Sequence, residues 1–174
     1  MEYVNVEMCG DNQIRYSLAK HSDHPLVVIG LNPSTADESH PDATMRKVMG
    51  FAERNGFDGF IMINLSFYRC VSPKDLPNSE RIEDCDKNIT YIKKVLERYK
   101  DITVLCAWGT LITSRTYLFT NCHKIISTLN QIGRTQYVCI DTTKDGHPCH
   151  PSRKGYCKFK NFNIEDYLSN IAYG

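Results

Sequence analysis

Val27-Val28-Ile29-Gly30-Leu31-Asn32-Pro33-Ser34 is the stretch of sequence that decides the fold. Valine and isoleucine favour a buried strand. Gly30 and Pro33 end that strand, because glycine admits unusual backbone angles and proline fixes its own. A loop rich in small polar and acidic residues follows, from residue 34 to residue 42. Since ligands of open α/β sheets bind outside the carboxyl ends of the strands, this junction is the first candidate site. The alternative is an ordinary connection between a strand and a helix.

The bulk composition is that of a globular protein with balanced charge. The chain has 174 residues, a formal net charge of +1, 41% hydrophobic residues and 24% charged residues. This length predicts a single domain over residues 1–174 that buries its own core. The charge alone neither favours nor excludes a nucleic-acid partner, because a local basic patch can exist within a neutral total.

The cysteine pattern and the N-terminus predict a cytoplasmic protein with reduced thiols. There are eight cysteines, and Cys106 and Cys139 lie inside apolar runs that are typical of a core. The N-terminus lacks the pattern of a signal peptide, and no apolar stretch is long enough to span a membrane. No two cysteines have the CxxC spacing of a compact zinc site, so we expect no metal and no cofactor.

Strand-like and helix-like segments alternate along the chain. The apolar runs at 26–31, 60–65, 102–107 and 136–140 predict core strands, and residues 14–18 predict an edge strand. Helical periodicity appears at 42–55, 79–99, 110–119, 122–129 and 164–172, with Asp42 as an N-cap. This alternation predicts a three-layer α/β/α sandwich with a mostly parallel central sheet of about four strands.

Each predicted core strand ends in an unusual or polar group. Asn32 and Asn64 follow the first two strands, Trp108-Gly109 follows the third, and a polar segment with His150 follows the fourth. Because the carboxyl ends of parallel strands meet at one edge of a sheet, we expect these groups to form one site.

The two asparagines have different predicted roles. Asn32 is suited to orienting a water or a ligand edge, and the alternative is an Asx-type turn that caps the loop. The side-chain amide of Asn64 offers a donor and an acceptor together, as amides that read base edges do. The alternative is a buried asparagine whose side chain is satisfied by the backbone.

The late segment His150-Pro151-Ser152 is followed by basic residues with aromatic residues between them. A histidine held beside a proline can donate a hydrogen bond to a developing anion, and Ser152 can contact a phosphate. Arg153, Lys154 and Tyr156 begin a run to Lys160 that is suited to a phosphate backbone and to stacking. The alternatives are a surface turn and a solvated basic segment.

An acidic cluster follows the first core strand and includes Asp37, Asp42, Thr44 and Arg46. Two carboxylates here are compatible with acid–base catalysis or a metal, and the alternative is that aspartate caps the following helix. The sequence has no phosphate-binding glycine loop, no HExxH and no GxSxG, which argues against nucleotide hydrolases of that type, zinc proteases and serine hydrolases.

The motifs resemble those of the family called domain of unknown function 1643. The resemblance rests on Gly30-Leu31-Asn32-Pro33-Ser34-Thr35-Ala36-Asp37, Asp42-Ala43-Thr44-Met45-Arg46, Asn64-Leu65 to Arg69, Pro73-Lys74-Asp75-Leu76 and Lys144-Asp145-Gly146-His147-Pro148-Cys149-His150-Pro151. It covers roughly residues 9–156 and implies no activity.

The order of the motifs also resembles, more distantly, that of the uracil-DNA glycosylase superfamily. This resemblance implies that Asn32 handles water, Asn64 reads a base, His150 stabilises the departing base anion and Ser152 contacts phosphate. The residues that it places around the ligand are Gly30, Leu31, Pro33, Ser34 and Asp37. The aromatic residue that it stacks on the base is Phe67, Tyr68 or Trp108. The residues that it places against nucleic acid are Arg153, Lys154 and Tyr156.

The sequence departs from that superfamily at several points. Pro33 is followed by Ser34 instead of the usual glycine or tyrosine, and no apolar wedge follows His150. Cys70 and Cys85 stand where iron–sulfur members carry two ligands, with only Cys9 near the usual N-terminal pair.

The resulting expectation is a nucleobase-recognising protein that binds DNA or a nucleotide and hydrolyses an N-glycosidic bond. Two alternatives remain: a non-catalytic nucleotide or nucleic-acid binding module on the same fold, and an interaction protein with a vestigial site. The sequence predicts no oligomeric state.

Overall fold

The computed structural model describes residues 1–171 as one mixed sheet covered by helices. The strands are β1 (Glu7–Gly10), β2 (Arg15–Lys20), β3 (Pro25–Gly30), β4 (Gly59–Asn64), β5 (Asp101–Cys106), β6 (Arg134–Cys139) and β7 (Lys160–Asn161). The α-helices are α1 (Ala43–Arg54), α2 (Ile82–Leu96), α3 (Thr116–Ile132) and α4 (Ile164–Ile171). The strand order is β1-β2-β4-β3-β5-β6-β7.

The centre of the sheet is parallel, as the sequence predicts. β4, β3, β5 and β6 are neighbours and run in the same direction. They correspond to the four predicted core strands, each starting one or two residues earlier than predicted. Every residue of β3 and β4 is buried, because both faces of a parallel sheet are covered by helices.

The prediction of about four strands is wrong, since the sheet has seven. β2 is the predicted edge strand, but it pairs with β4 on one side and with β1 on the other, both antiparallel. β7 pairs antiparallel with β6 at the opposite edge. β1 and β7 span four and two residues, which is too short for periodicity to show.

The first predicted helix is confirmed in detail. The carboxylate of Asp42 accepts a hydrogen bond from the Met45 N–H at 2.8 Å and so caps α1. The last predicted helix corresponds to α4, and its expected final residue, Ala172, lies outside the described residues.

Two helix predictions need correction. α2 begins at Ile82, three residues after the predicted start, and Ile82 is 75% exposed instead of lying in the core stripe. The two short helices predicted at 110–119 and 122–129 are a 3₁₀ turn (Thr110–Ser114) and one continuous α3. α3 is uninterrupted because no glycine or proline stands inside it.

Helices cover both faces of the sheet. α1 packs its buried residues against one face, where Leu26, Val28 and Met62 belong to the same cluster. α2, α3 and α4 pack on the other face against Val27, Ile29 and neighbouring residues. Within residues 1–171 no helix has both the length and the apolar composition needed to cross a membrane.

The strand order places a switch point beside β3. The chain continues from β3 to β4 on one side, and β5 is added on the other side. At such a reversal the loops leave the sheet in opposite directions and open a crevice at the carboxyl edge. Because β2 is antiparallel to β4, its first residue, Arg15, lies at this edge too, where its N–H donates to the Phe67 carbonyl at 2.9 Å.

Candidate functional site

A cavity of about 800 Å³ lies at the switch point. Its walls come from the loops that follow β3 and β5, from the first turn of α1 and from the segment between β6 and β7. This volume is in the range of small-molecule sites. The predicted site residues that line it are Gly30, Leu31, Asn32, Ser34, Trp108, His150, Ser152, Arg153 and Lys154. The others, Pro33, Asp37, Asn64, Phe67, Tyr68 and Tyr156, do not line it.

Asn32 holds two loops together at the wall of the cavity. Its side-chain Nδ2 donates to the carbonyl of Pro33 at 2.9 Å and to the carbonyl of Cys70 at 2.8 Å. Both amide hydrogens are therefore used, and Oδ1 is the atom that a ligand or a water can reach. The observed contacts give Asn32 a positioning role and differ from an Asx turn, in which the side-chain oxygen accepts from the backbone.

Asn64 lies directly behind the wall. A Cβ built on Gly30 would lie 2.7 Å from Asn64 Oδ1 and 2.5 Å from Met62 Cε, and both Gly30 and Met62 line the cavity. Asn64 is 1% exposed, and within the described chain neither Nδ2 nor Oδ1 has a hydrogen-bond partner. An asparagine satisfied by the backbone is therefore not what the structure shows. Unsatisfied buried polar groups are uncommon and often mark a functional position.

Ser152 orients His150, which caps the start of a short 3₁₀ turn. Its Nδ1 accepts from the Ser152 N–H at 3.3 Å and lies 2.9 Å from Ser152 Oγ. Because the backbone N–H can only donate, the neutral imidazole carries its proton on Nε2. Burial lowers the pKa of His150, while the Asp42 carboxylate opposes that shift. The neutral ring is therefore the form present at pH 7, with Nε2–H as a donor.

Gly109 connects the end of β5 to the His150 segment. It has a φ of 72°, in the left-handed region, and its N–H donates to the Pro148 carbonyl at 2.9 Å. A Cβ at this position would lie 3.5 Å from the Cβ of His150. A glycine thus allows the loop after β5 and the His150 segment to share one wall.

The basic segment is divided between the cavity and the surface of α1. Arg153 and Lys154 line the cavity, and Lys154 Nζ lies 3.2 Å from a carboxylate oxygen of Asp141. Tyr156 instead packs its ring against Phe51, with the Arg54 guanidinium 4.0 Å from its centre. Of the residues predicted to contact phosphate or nucleic acid, Arg153 and Lys154 therefore lie at the cavity, whereas Tyr156 contacts α1.

Two of the three predicted stacking residues, Phe67 and Trp108, have buried rings. Phe67 is 0% exposed and stacks beside Tyr68, with ring centres 4.6 Å apart. Trp108 is 1% exposed, and its indole N–H donates to the Tyr167 hydroxyl at 2.9 Å. That hydroxyl in turn lies 2.9 Å from His147 Nδ1, so Trp108 belongs to a buried polar chain. The rings of Phe67 and Trp108 thus fill the core in this conformation, whereas Tyr68 is half-buried, and the stacking role stays a prediction.

The two aspartates after β3 have different places. Asp37 Oδ1 accepts from the N–H groups of Ser39 and His40 at 2.8 and 2.7 Å, and these bonds lower the pKa of Asp37. It caps its own loop, which is the alternative that the sequence left open. Asp42 caps α1 and also lines the cavity, where it is the only carboxylate in the described lining.

Arg15 is the cavity residue that sequence reasoning missed. It is 2% exposed, lines the cavity and donates from Nη1 to the Ala36 carbonyl at 2.9 Å. Arg69 stands nearby and donates to the carbonyls of Ser34, Thr35 and Ala36. No local signal marks this position, because Arg15 is one of the polar residues in the alternating stretch 14–18 and is therefore expected on the exposed side of the strand.

A second buried polar cluster lies beside the cavity, behind β4. Glu80 accepts from Ser66 Oγ at 2.7 Å and from Asn121 Nδ2 at 2.5 Å, and Cys85 lies 3.4 Å away. Asn121 Nδ2 also donates to the Leu65 carbonyl at 2.9 Å. Burial raises the pKa of Glu80. This cluster ties the loop after β4 to α3 and so supports one wall of the site.

The site contains no disulfide. All eight cysteines are free thiols, and Cys70 alone of the three proposed iron–sulfur positions lines the cavity. Across residues 1–171 no three histidine, cysteine or acidic side chains are grouped so that they could hold a metal ion.

The family assignment rests on a model that matches most of the chain. Residues 15–152 match the model described as Protein of unknown function (DUF1643). No curated protein and no solved structure matches the chain. The matched range begins at Arg15 and ends at Ser152, so it contains every lining residue of the cavity except Arg153 and Lys154. The chain therefore belongs to the DUF1643 family.

Proposed function

We propose that the cavity binds a ligand containing a nucleobase, and that the protein hydrolyses the N-glycosidic bond of that ligand. The observation that carries the proposal is the side-chain amide of Asn64, which is buried with both of its polar atoms unpaired in the described chain. A nucleobase edge presents a donor beside an acceptor and complements an amide with two bonds. Its binding would satisfy the two atoms once the Met62 side chain, whose Cε crowds Gly30, moves aside.

The chemistry fits groups around the cavity. Cleavage of the bond leaves an anionic base and a cationic sugar, so catalysis can come from charge stabilisation. The Nε2–H of neutral His150 is a donor for the base anion. Asp42 has a second carboxylate oxygen besides the one that caps α1, and this oxygen is suited to activating water or stabilising the cation. In this proposal Asp42 takes the water-handling role, because both amide hydrogens of Asn32 are engaged.

The proposal includes a fold related to that of the uracil-DNA glycosylase superfamily. Its support is the order of the motifs along the chain: Gly30 and Asn32 after β3, Asn64 at the end of β4, Gly109 after β5 and His150 before β7. A parallel centre with helices on both faces is compatible with the three-layer sandwich.

Binding without hydrolysis is the second candidate. It is favoured by the hydrogen bonding of Asp42, the single carboxylate in the described lining. Asp42 Oδ1 already accepts a hydrogen bond from the Met45 N–H, which leaves one carboxylate oxygen for catalysis. In that case the cavity holds a nucleotide and leaves it intact.

The test is a calorimetric titration with free bases, nucleosides, 5′-mononucleotides and short oligonucleotides, followed by chromatography for released base. Asn64→Leu should weaken binding by about tenfold or more, because the paired bonds are lost. His150→Gln should leave binding within about threefold and slow base release by about 100-fold. His40→Gln is the matched control, since His40 is an exposed histidine outside the cavity.

Three outcomes separate the candidates. Release of base that depends on His150 supports hydrolysis. A ligand that binds through Asn64 and is recovered intact after hours supports the binding module. Binding that is unchanged in Asn64→Leu, or a panel in which nothing binds, refutes nucleobase recognition.

A further inference from the structure

Arg15 is a buried cation without an anionic partner at the cavity. It is 2% exposed, and no carboxylate within residues 1–171 forms an ion pair with it. Its Nη1 donates to the Ala36 carbonyl, while its Nε is buried with no hydrogen-bond partner in the described chain. Charged groups are seldom fully buried unless they are paired. The missing partner of Arg15 is therefore an anion that enters the cavity.

A second positively charged side chain close to Arg15 makes binding of an anion here more favourable. Desolvation by burial lowers the pKa of Arg15, the positive charge of Arg69 lowers it further, and Asp42 opposes part of the shift, with a resulting value of about 10. The guanidinium is therefore still charged at neutral pH. Arg69 itself binds backbone carbonyls at residues 34–36 and no carboxylate in the described chain. Two guanidinium groups thus converge on the loop after β3, and within the described chain neither forms a direct ion pair with an acid, although Asp42 lies close enough to interact with Arg15.

The start of α1 faces the same space. Ala43, Thr44 and Met45 line the cavity, and they are the first residues of a 12-residue helix. The Met45 N–H is used by the Asp42 cap, which leaves the preceding N–H groups to point at a bound anion. Among the described lining residues the cations are Arg15, Arg153 and Lys154, and the only acid is Asp42. Lys154 is already paired with Asp141, so Arg15 and Arg153 against Asp42 leave a positive balance that favours an anionic ligand.

We propose that the ligand of this cavity carries a terminal phosphate monoester, which binds between the Arg15 guanidinium and the first turn of α1. This inference rests on the proposed function, because it makes a 5′-mononucleotide the substrate class of the same cavity. A guanidinium matches the oxygens of a phosphate with two parallel hydrogen bonds.

The burial of Arg15 decides between the two sources of a nucleotide phosphate. A phosphodiester is bonded to a nucleotide on each side, so a strand whose phosphate reached Arg15 would have to enter the cavity and leave it again. A terminal monoester ends at the phosphate and can reach a group that is only 2% exposed. It also carries up to two charges where a diester carries one, which strengthens its attraction to the buried Arg15 guanidinium.

The experiment compares matched pairs of ligands by calorimetry at fixed ionic strength. Each 5′-mononucleotide is titrated beside its nucleoside, with inorganic phosphate and an unphosphorylated oligonucleotide as further probes. The wild-type protein should bind the nucleotide about tenfold or more tightly than the nucleoside. Arg15→Met should reduce that ratio to about one, and inorganic phosphate should compete with the nucleotide in wild type only.

Arg15→Met is expected to fold, since Arg69 Nη2 still donates to the Ala36 carbonyl at 3.1 Å. Arg54→Gln is the control for loss of one positive charge, because Arg54 lies on the exposed surface of α1 outside the cavity lining. It should keep the wild-type ratio. If Arg15→Met does not fold, the nucleotide-to-nucleoside ratio and the phosphate competition in wild type still decide the question.

The results distinguish this inference from the proposed function. Equal affinity for nucleotide and nucleoside in wild type overturns the phosphate site, even if Asn64→Leu abolishes nucleoside binding and so supports base recognition. Phosphate-dependent binding that requires Arg15 and ignores Asn64 supports the phosphate site and overturns base recognition. An oligonucleotide that binds more tightly than every mononucleotide overturns the monoester.

Discussion

Replacement of Asn64 by leucine should stabilise the protein while it removes ligand binding. Leucine has a similar branched shape and no polar atoms, so Asn64→Leu removes two buried groups that lack partners in the described chain. An unsatisfied buried donor or acceptor costs about 1–3 kcal/mol, and its replacement by an apolar group of the same shape is neutral or stabilising. Most buried asparagines respond in the opposite direction because their hydrogen bonds are lost.

The magnitude follows from the neighbours of the side chain. The gain from removing two unsatisfied atoms is offset in part by the tight fit of this side chain, because a Cβ built on Gly30 would lie only 2.7 Å from the asparagine Oδ1. We expect a net gain of about 1–3 kcal/mol in the free energy of unfolding. For a chain of this size that gain corresponds to a rise in Tm of about 2–4 °C per kcal/mol.

The assay is urea unfolding followed by intrinsic fluorescence, with a thermal scan as a second measurement. Asn121→Leu is the matched control, because Asn121 is also buried but donates to Glu80 and to the Leu65 carbonyl. Asn121→Leu should lose about 2–5 kcal/mol, since it leaves a buried carboxylate with fewer donors. A loss of comparable size in Asn64→Leu would refute the reasoning, because it would mean that the Asn64 amide has partners.

The remaining predictions concern the other groups of the cavity. Asp42→Ala should lower the free energy of unfolding in urea by about 1 kcal/mol, because the α1 cap is lost. Asp42→Asn should keep most of that stability, because an asparagine side chain also caps a helix, and should lose base release. This pair of results would show that hydrolysis needs the negative charge of Asp42. Burial lowers the pKa of His150, so the unfolded chain binds that proton more tightly and the free energy of unfolding should fall as the pH drops below about 6.5. His150→Gln should make that fall shallower in urea titrations at several pH values, and an unchanged slope would contradict the lowered pKa. Gly30→Ala places a Cβ 2.5 Å from Met62 Cε, so it should cost about 1–3 kcal/mol and remove ligand binding in calorimetry; full binding in this variant would show that Gly30 does not form the wall.

The parts of the site that sequence could predict are those set by local chemistry. The strand that ends at Gly30, the cap at Asp42 and the glycine at Gly109 follow from the preferences of single residues, and all three occur where expected. Asn32, Asn64, Trp108-Gly109 and His150 are expected to meet from the convergence of strand ends, and all of them except Asn64, which lies behind the wall, line one cavity.

The parts that sequence could not predict depend on packing between distant segments. Trp108 and Phe67 have the composition of stacking residues, yet both rings are buried in the core, and nothing in the local sequence states which way an aromatic ring points. Arg15 reaches the cavity because an antiparallel strand begins at the carboxyl edge of β4. That pairing joins residues far apart in the chain.

The amino-acid sequence by itself determined the alternation of strands and helices and the polar groups at the carboxyl ends of the central strands. Hydrophobic periodicity and the backbone limits of glycine and proline are local properties, so they can be read along the chain. Only the tertiary structure decided that the sheet has seven strands, that Arg15 enters the cavity without a carboxylate partner in the described chain, and that the loop after Gly30 stands in front of an unpaired Asn64 amide. These features are fixed by which strands pair and by what fills the space between them, and both depend on the whole fold at once.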